Sequence, residues 1–367
     1  MRQIDGAYGE GGGEVLRTSL ALSAITGQAV QITNIRKYRP KPGLQLHHLA
    51  TVYALAAICR AELLGAELNS QTLTFVPRVA VQGCEYLFDI RDAQESHSPG
   101  ALTPVLQALL VPLALASCDS HLILRGATCA TFSIPLPCLE EVLLPMLTHF
   151  GLHARVQVNR HSWYPTSGGE IEVFITGHRA QSNKVQSLKL AERGGLRQVW
   201  GKVVVSNLPE QFAHAMVDTV ASELGLAGIP VSFHVELAPY GATGAGLFLF
   251  TEYEHTIASF KAYWQTGWTP QDCARKACRD LLAFHRSSAT IDMFLADQLV
   301  LPAMLADEAS YWTTCRITQH LLTNCWLTSE WLGREVMVRG DLGHYGEIAV
   351  KQARMSSRPD CECRWSW

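Results

Sequence analysis

A glycine run beside a carboxylate, Glu10-Gly11-Gly12-Gly13, comes directly before a helix predicted over residues 14–26. Glycines here let backbone amides approach a ligand, and the N-terminus of a helix favours negative charge. The run therefore suits a phosphate or a nucleotide, and Glu10 is placed to hold a divalent metal that bridges to phosphate oxygens. A tight structural turn explains the spacing equally well, because the run matches neither a P-loop nor a dinucleotide fingerprint.

A loop with several cations follows the first predicted strand. Arg36, Arg39 and Lys41 alternate there with two prolines that stiffen the chain. Guanidinium groups bind phosphate oxygens in bidentate fashion, so the loop indicates a site for a polyanionic substrate. A solvated charged loop is the alternative.

His320 lies where a predicted strand ends and a helix begins, at a position equivalent to Arg36. A histidine among arginines and a carboxylate can serve as general base, metal ligand or nucleophile toward phosphorus. The spacing does not choose among these three roles. We expect most of the fourteen histidines to be surface or structural residues.

Three helical segments carry a polar residue at the same position of one repeated pattern: Arg17 in LRTSLALSAIT, Gln107 in LQALLVPLALA and Asp297 in ADQLVLPAMLA. An internal repeat predicts a pseudo-symmetric fold, in which residues distant in sequence meet near one axis. We therefore expect these three residues to share one polar site with His320. Asp297 and Gln107 interrupt otherwise apolar helices, where a charged residue needs a partner. The alternative to a functional role is a buried structural pair with one of the arginines.

Two helices and three strands recur in each of three units, in the order α-β-α-β-β. The predicted helices span residues 14–26, 44–61, 102–117, 138–150, 291–306 and 321–332. The predicted strands span residues 30–35, 73–76, 86–90, 122–125, 154–158, 171–175, 313–318, 335–339 and 346–350.

About 100 residues between the second and third units break this pattern and predict an inserted domain with its own helices and strands. Its predicted strands are residues 199–205, 231–237 and 247–251, and its predicted helices are residues 209–224 and 270–284. The fold class is therefore α/β (α+β), with three pseudo-symmetric repeats and an inserted small α/β domain. We place the repeats at residues 1–183 and 288–350, the inserted domain at 184–287 and an aperiodic tail at 351–367.

Composition excludes several classes of protein. A net charge of −3 over 367 residues argues against a nucleic-acid coat, although the first 41 residues hold a local basic patch. The eleven cysteines include no CxxC pair and no Cys/His ligand spacing, which favours free thiols in a reducing cytoplasm. The first residues lack an apolar signal segment, and the longest apolar run, residues 101–116, is too short to span a bilayer. We expect a cytoplasmic protein with no membrane partner.

The chain resembles the RNA 3'-terminal phosphate cyclase family in six segments taken together: GEGGGEVLR (9–17), IRKYRPKPGL (35–44), RHSWYPTSGGE (160–170), LAERG (190–194), FLADQLVLP (294–302) and HLLTN (320–324). The similarity runs from Ile4 to about Val350. It implies three repeats, each a pair of helices on a four-stranded sheet, with a small α/β domain inserted.

The resemblance also implies an ATP-dependent reaction in three steps. A histidine attacks the α-phosphate of ATP to give a covalent histidyl-AMP, and the AMP then passes to an RNA 3'-phosphate. The vicinal 2'-OH finally attacks the activated phosphate, which gives a 2',3'-cyclic phosphate and AMP. The implied partners are therefore ATP and an RNA with a 3'-phosphate end.

The resemblance implies a role for each residue that matches a position of the family motifs. The resemblance makes His320 of HLLTN the nucleophile, Glu10 the carboxylate for Mg²⁺ or Mn²⁺, and Arg17, Arg36 and Arg39 the phosphate contacts. It assigns the nucleotide pocket to Gly11, Gly12, Gly13, Gln107, Pro135, Phe294 and Asp297, with Phe294 stacked on adenine and Pro135 opposite. Lys41 and His47 fall in the substrate site.

Three departures from the family pattern leave His320, Glu10 and the arginines in place. His47 replaces a glutamine of the family, Cys129 replaces a polar residue after Gly126, and residues 97–104 replace a small-residue segment. We expect activity, with a rate or nucleotide preference that differs from that of the family. Two alternatives are a non-catalytic cyclase-like protein for RNA binding or ribosome assembly, whose branch lacks the histidine, and an enolpyruvyl transferase, which needs two such domains.

Overall fold

The computed structural model describes residues 1–90, 100–131, 133–164, 166, 168–178, 184–237 and 242–353. Within these ranges, helices and strands alternate along the chain and the strands form four separate sheets. The α/β class is therefore confirmed. Most of the predicted tail, and part of the segment 97–104, lie outside the described residues.

The first sheet has the strand order β1-β2-β4-β3, with β1 parallel to β2 and the other pairs antiparallel. Its elements are β1 (Arg2–Asp5), α1 (Gly13–Thr26), β2 (Val30–Thr33), α2 (Leu46–Cys59), β3 (Glu62–Leu64) and β4 (Leu73–Val76). Helix α1 ends at Gly27, which adopts φ 69°. A left-handed residue at this position is a common helix stop and favours glycine, as the sequence predicted.

The second sheet repeats this arrangement with the order β5-β6-β8-β7. Its elements are β5 (Glu85–Asp89), α3 (Thr103–Ala114), β6 (Ser120–Gly126), α4 (Leu136–Cys138), a π-helical turn (Leu139–Leu143), α5 (Leu144–Thr148), β7 (Ala154–Arg160) and β8 (Gly169–Ile175). The helix predicted over residues 138–150 thus contains a π-turn, closed by the amide of Leu144 on the carbonyl of Leu139. The adjoining Pro145 has no N–H to continue a regular ladder.

The strand predicted over residues 86–90 was assigned to the wrong unit. Strand β5 pairs in parallel with β6, so it opens the second sheet instead of closing the first. Strands β1 and β3 take up the two places left in the first sheet, and sequence reasoning missed both. They are four and three residues long, which is too short to show a period-2 pattern.

Between the second and third units the chain forms a sheet of order β10-β9-β11-β12. Its elements are β9 (Leu196–Ser206), α6 (Glu210–Gly225), β10 (Ser232–Leu237), β11 (Gly244–Tyr253), β12 (Ile257–Tyr263) and α7 (Pro270–Arg286). These elements surround a hydrophobic core of their own. Strand β12 was not predicted, because Lys261 interrupts its apolar run. The boundaries at residues 184 and 287 stay a prediction.

The third unit differs most from expectation. Its elements are α8 (Leu295–Gln298), α9 (Val300–Leu305), β13 (Ser310–Thr314), α10 (Gln319–Leu332), β14 (Val336–Arg339) and β15 (Gly346–Val350). The single helix predicted over residues 291–306 is broken at Leu299, where Pro302 cannot donate to the carbonyl of Gln298. In the described residues the sheet has three strands, β13-β15-β14, and Lys189 makes one parallel bridge to Tyr311 where the other sheets have a first strand.

Helix α1 packs against α2, α3 and α10, so helices from all three units touch one another. Helix α10 also packs against α8 and α9. The residues predicted to meet lie on these helices or at their ends. No helix in the described ranges combines the length and the apolar character needed to cross a membrane.

Candidate active site

One cavity of about 270 Å³ gathers side chains from every part of the fold. It is lined by six of the predicted residues, namely Arg17, Gln107, Pro135, Phe294, Asp297 and His320. The other eight predicted residues do not line it, namely Glu10, Gly11, Gly12, Gly13, Arg36, Arg39, Lys41 and His47. The cavity therefore unites the three helix positions of the repeat, as expected.

His320 is the second residue of α10, whose N-cap Thr318 accepts a hydrogen bond from the amide of Leu321 at 3.1 Å. Strand β13 ends at Thr314, so His320 does not close the strand as predicted but stands in the first helical turn. Its Nδ1 lies 3.1 Å from Oε1 of Glu10 without the alignment of a hydrogen bond, and 3.9 Å from Oε2 of Glu14. The side chain is 46% exposed, which leaves the rest of the ring open to a ligand.

The glycine run lets side chains come close together beside His320. A Cβ on Gly12, the N-cap of α1, would overlap the carboxylate of Glu10 and lie 3.2 Å from Nη2 of Arg39. A Cβ on Gly13 would lie 2.9 Å from Nε2 of His48. Gly12 and Gly13 therefore pack against the side chains of Glu10, Arg39 and His48. The two glycines themselves do not line the cavity.

The cationic loop reaches this centre through Arg39. Its Nη2 lies 3.4 Å from Oε2 of Glu10, so Glu10 stands between Arg39 and His320. Arg36 has a left-handed backbone, with φ 55°, and its Nε donates to the carbonyl of Lys41 at 3.2 Å. Lys41 is exposed at the far side of the turn.

Glu14 is a site residue that sequence reasoning missed. It is 7% exposed, forms a short ion pair with Arg17, and accepts a hydrogen bond from Nδ2 of Asn324 at 3.1 Å. Burial alone would raise the pKa of Glu14, but Arg17, His320 and Asn324 together lower it. The signal was present, because Glu14 lies three residues before Arg17 on one helix.

Among the residues that the structure describes, Asp297 forms no ion pair with an arginine, so the alternative of a buried pair is not supported there. Arg17 pairs with Glu14, and Oδ1 of Asp297 accepts a hydrogen bond from Nε2 of Gln298 at 2.9 Å. Burial, and then the charge of Glu14, raise the pKa of Asp297 well above its usual range. Gln298 in turn accepts from Nε2 of Gln107 at 2.6 Å, so it joins two of the predicted residues.

Two more of the predicted residues are apolar. Phe294 is 43% exposed, and Pro135 lines the cavity with it. Lys261 of β12, which was not predicted, places Nζ 4.8 Å from the centre of the Phe294 ring. A flat ring could be accommodated beside Phe294.

The rings of His47 and His48 lie beside the glycine run, tilted by 47° to each other with their centres 4.0 Å apart. Burial, with Arg36 and Arg17, lowers the pKa of His47 to about 4. His48 is buried, and its Nδ1 accepts the amide of Gln45 at 3.0 Å. Both imidazoles are therefore neutral near pH 7.

The described residues contain no group of three or more His, Cys, Asp or Glu side chains that could hold a metal ion by themselves. Glu10 nevertheless fits Mg²⁺, because this ion commonly binds through one or two carboxylates and takes its other ligands from phosphates and water.

Comparisons with known proteins point in one direction. A family model described as RNA 3'-terminal phosphate cyclase matches residues 8–338. A protein of that name from Methylococcus capsulatus is 42% identical over 92% of this chain and 93% of its own length. Proteins of the same name from Nostoc sp. and Pyrococcus furiosus are 43% and 33% identical, over 88% and 95% of this chain and 92% and 98% of their own lengths.

Among solved structures, the enolpyruvyl transferase NikO from Streptomyces tendae aligns at 10% identity with a TM-score of 0.24, over 96% of this chain and 66% of its own. A likeness this weak carries no argument.

Proposed function

The chain belongs to the RNA 3'-terminal phosphate cyclase family, and on that premise we propose that it converts an RNA 3'-terminal phosphate to a 2',3'-cyclic phosphate with ATP as co-substrate. The arrangement around His320 carries the proposal. Its ring lines the cavity with Arg17, and its Nδ1 faces Glu10 at 3.1 Å. Nucleotidyl transfer needs a nucleophile, a group that orients it, and cations for the phosphate.

In the first step, Nε2 of His320 attacks the α-phosphorus of ATP. An N–P bond forms, the bond from that phosphorus to the bridging oxygen breaks, and pyrophosphate leaves. Glu10 and Glu14 face Nδ1 and favour a proton there, so that the lone pair remains on Nε2. The same carboxylates stabilise the positive charge that develops on the ring.

In the second step, an oxygen of the RNA 3'-phosphate attacks the phosphorus of the adduct. The N–P bond breaks, His320 is regenerated, and the RNA carries a 3'-to-5' pyrophosphate link to adenosine. In the third step the vicinal 2'-OH attacks the 3'-phosphorus, AMP leaves, and the proton of the hydroxyl passes to a base. His320, free again at this stage, can accept that proton.

Phosphate charge requires compensation in all three steps. Arg17 lies in the cavity, Arg39 contacts Glu10, and the half-buried Arg36 and the exposed Lys41 belong to the same loop, where an RNA end would arrive. Removal of one such contact commonly costs about 10²–10³ in rate. Phe294 and Pro135 would hold the base, with Gln107 and Asp297 completing the pocket.

Glu10 would hold Mg²⁺ or Mn²⁺ against the phosphates. A bound ion of this kind supplies charge neutralisation on phosphate oxygens. The side chain of Glu10 would then change its contacts with His320 and Arg39 on nucleotide binding.

The proposal is tested by incubating the protein with ATP labelled at the α-phosphate and Mg²⁺ or Mn²⁺. We expect label on the protein, stable to alkali and labile to acid as a phosphoramidate is. RNA with a 3'-phosphate should discharge that label, with a cyclic end as product, whereas matched RNA with a 3'-OH should not. Equal discharge by both RNAs, or no label at all, would refute the proposed function.

A further inference from the structure

Lys261 brings a charged group into the cavity from the sheet of the inserted segment. It follows Ser259 by two residues on β12, so both side chains face the same way, and both line the cavity. The neighbours Phe260 and Ala262 face the opposite side and are buried in the core of that sheet. The cavity is therefore incomplete without β12.

The ammonium group of Lys261 lies beside Phe294 in the cavity. Its Nζ is 4.8 Å from the centre of the Phe294 ring and 3.5 Å from the carbonyl of Ser133. In the described part of the chain, no carboxylate comes within ion-pair distance of Nζ. Burial lowers the pKa of Lys261, while Asp292 and Asp297 act in the opposite direction.

Position separates Lys261 from the reacting phosphates. Arg17 and His320, which suit phosphate, cluster with Glu14, whereas Nζ of Lys261 contacts Phe294 and the carbonyl of Ser133. Because Nζ lies over the Phe294 ring, a base stacked on that ring in the usual offset arrangement would meet the ammonium group with its edge. An ammonium has three N–H donors and no acceptor, so it favours a base edge made of acceptors.

Purines differ at this edge. Guanine offers two adjacent acceptors, O6 and N7, whereas adenine offers N7 beside an amino donor. We propose that Lys261 reads the base of the bound nucleotide and lets this chain accept guanine nucleotides alongside adenine nucleotides. This inference rests on the proposed function, because it takes the end of the cavity beside Phe294 as the base subsite.

Equilibrium binding of AMP and GMP to the full chain, measured by calorimetry, tests the inference without requiring chemistry at His320. We expect wild type to bind both nucleotides. Lys261→Met should weaken GMP relative to AMP by about tenfold, the size of one good base contact. Lys261→Arg keeps the donors and should hold the ratio within about threefold of wild type.

Lys189→Met is the matched control, because Lys189 is an exposed lysine that pairs with Glu308 outside the cavity. It should leave the ratio unchanged. A ratio of two affinities on one variant cancels any loss of folded protein. An unchanged ratio in Lys261→Met, or no GMP binding by wild type, would overturn the inference. Failure of the proposed function would appear separately, as absence of label from ATP.

Discussion

Glu14 and Asp297 are two buried carboxyl groups of one cavity whose pKa values are pushed in opposite directions. Arg17, His320 and Asn324 lower the pKa of Glu14 despite its burial, whereas burial and Glu14 itself raise that of Asp297. The surroundings therefore favour the ionised form of Glu14 and the neutral form of Asp297. Environments that separate two carboxyl groups in this way are typical of sites that assign them different roles.

His47 should make stability depend on acid. Its native pKa of about 4 lies below the ordinary value of 6.5. Between these two pH values His47 is protonated in the unfolded chain and neutral in the folded chain. Stability is then lost as pH falls from about 6.5 toward about 4. His47→Gln should lose less, by about 1–3 kcal/mol at pH 4, after discounting for partial exposure.

The measurement for His47 is the free energy of unfolding in urea at several values between pH 4 and pH 7.5. Wild type and His47→Gln should show the same pH slope above about pH 6.5, where the imidazole is neutral in both folded and unfolded chains. Parallel slopes below that pH would contradict the account.

The sequence predicted residues whose side-chain type suggests a chemical role, such as His320 and Arg17. It missed residues whose role depends on a hydrogen bond to another part of the chain. Gln298 joins Gln107 to Asp297, and Asn324 donates to Glu14 from 310 positions away. Neither role can be read from spacing, because the contacts exist only after helices of different units have packed together.

At the scale of elements, the loop before α1 sets the position of Glu10. Gly12→Ala would place a methyl group against the carboxylate of Glu10 and close to Arg39, both of which are movable side-chain ends. The protein should fold with a loss of about 1 kcal/mol or less, but labelling from ATP should slow at least tenfold, since displacement near the reacting atoms is costly.

Gly27→Ala is the control for this change. Gly27 has φ 69°, and no atom lies within 4 Å of an added Cβ, so the substitution should cost about 1 kcal/mol through backbone strain alone. Its labelling rate should equal that of wild type. Equal labelling rates in the two variants would show that Gly12 does not position Glu10.

Helix ends were more predictable than strand partners. Gly27 and Gly333 both end helices in the left-handed conformation, which follows from residue type. By contrast, the strand that pairs with β5 is determined by the path of the chain after β5. Its residues look like a strand of either unit, and only the parallel pairing with β6 assigns it to the second sheet.

At the scale of the whole molecule, the packing of helices from three parts of the chain gathers the polar helix positions, and β12 completes the cavity. Helix α1 contacts α3 and α10, which brings Arg17, Gln107 and His320 to one place. Strand β12 adds Ser259 and Lys261. The threefold pseudo-symmetry stays a prediction from the sequence, and the contribution of β12 was missed because no repeat marks this strand.

The most direct measurement is the position of the nucleotide on the protein. Among the described residues that line the cavity, Lys261 is a second nitrogen nucleophile besides His320, and a lysine adduct would share the acid lability of a histidine adduct. Wild type should be incubated with ATP, digested under alkaline conditions and mapped by peptide mass spectrometry. The account predicts one AMP moiety on His320 and none in His320→Ala. AMP on Lys261, or on any residue other than His320, would contradict it.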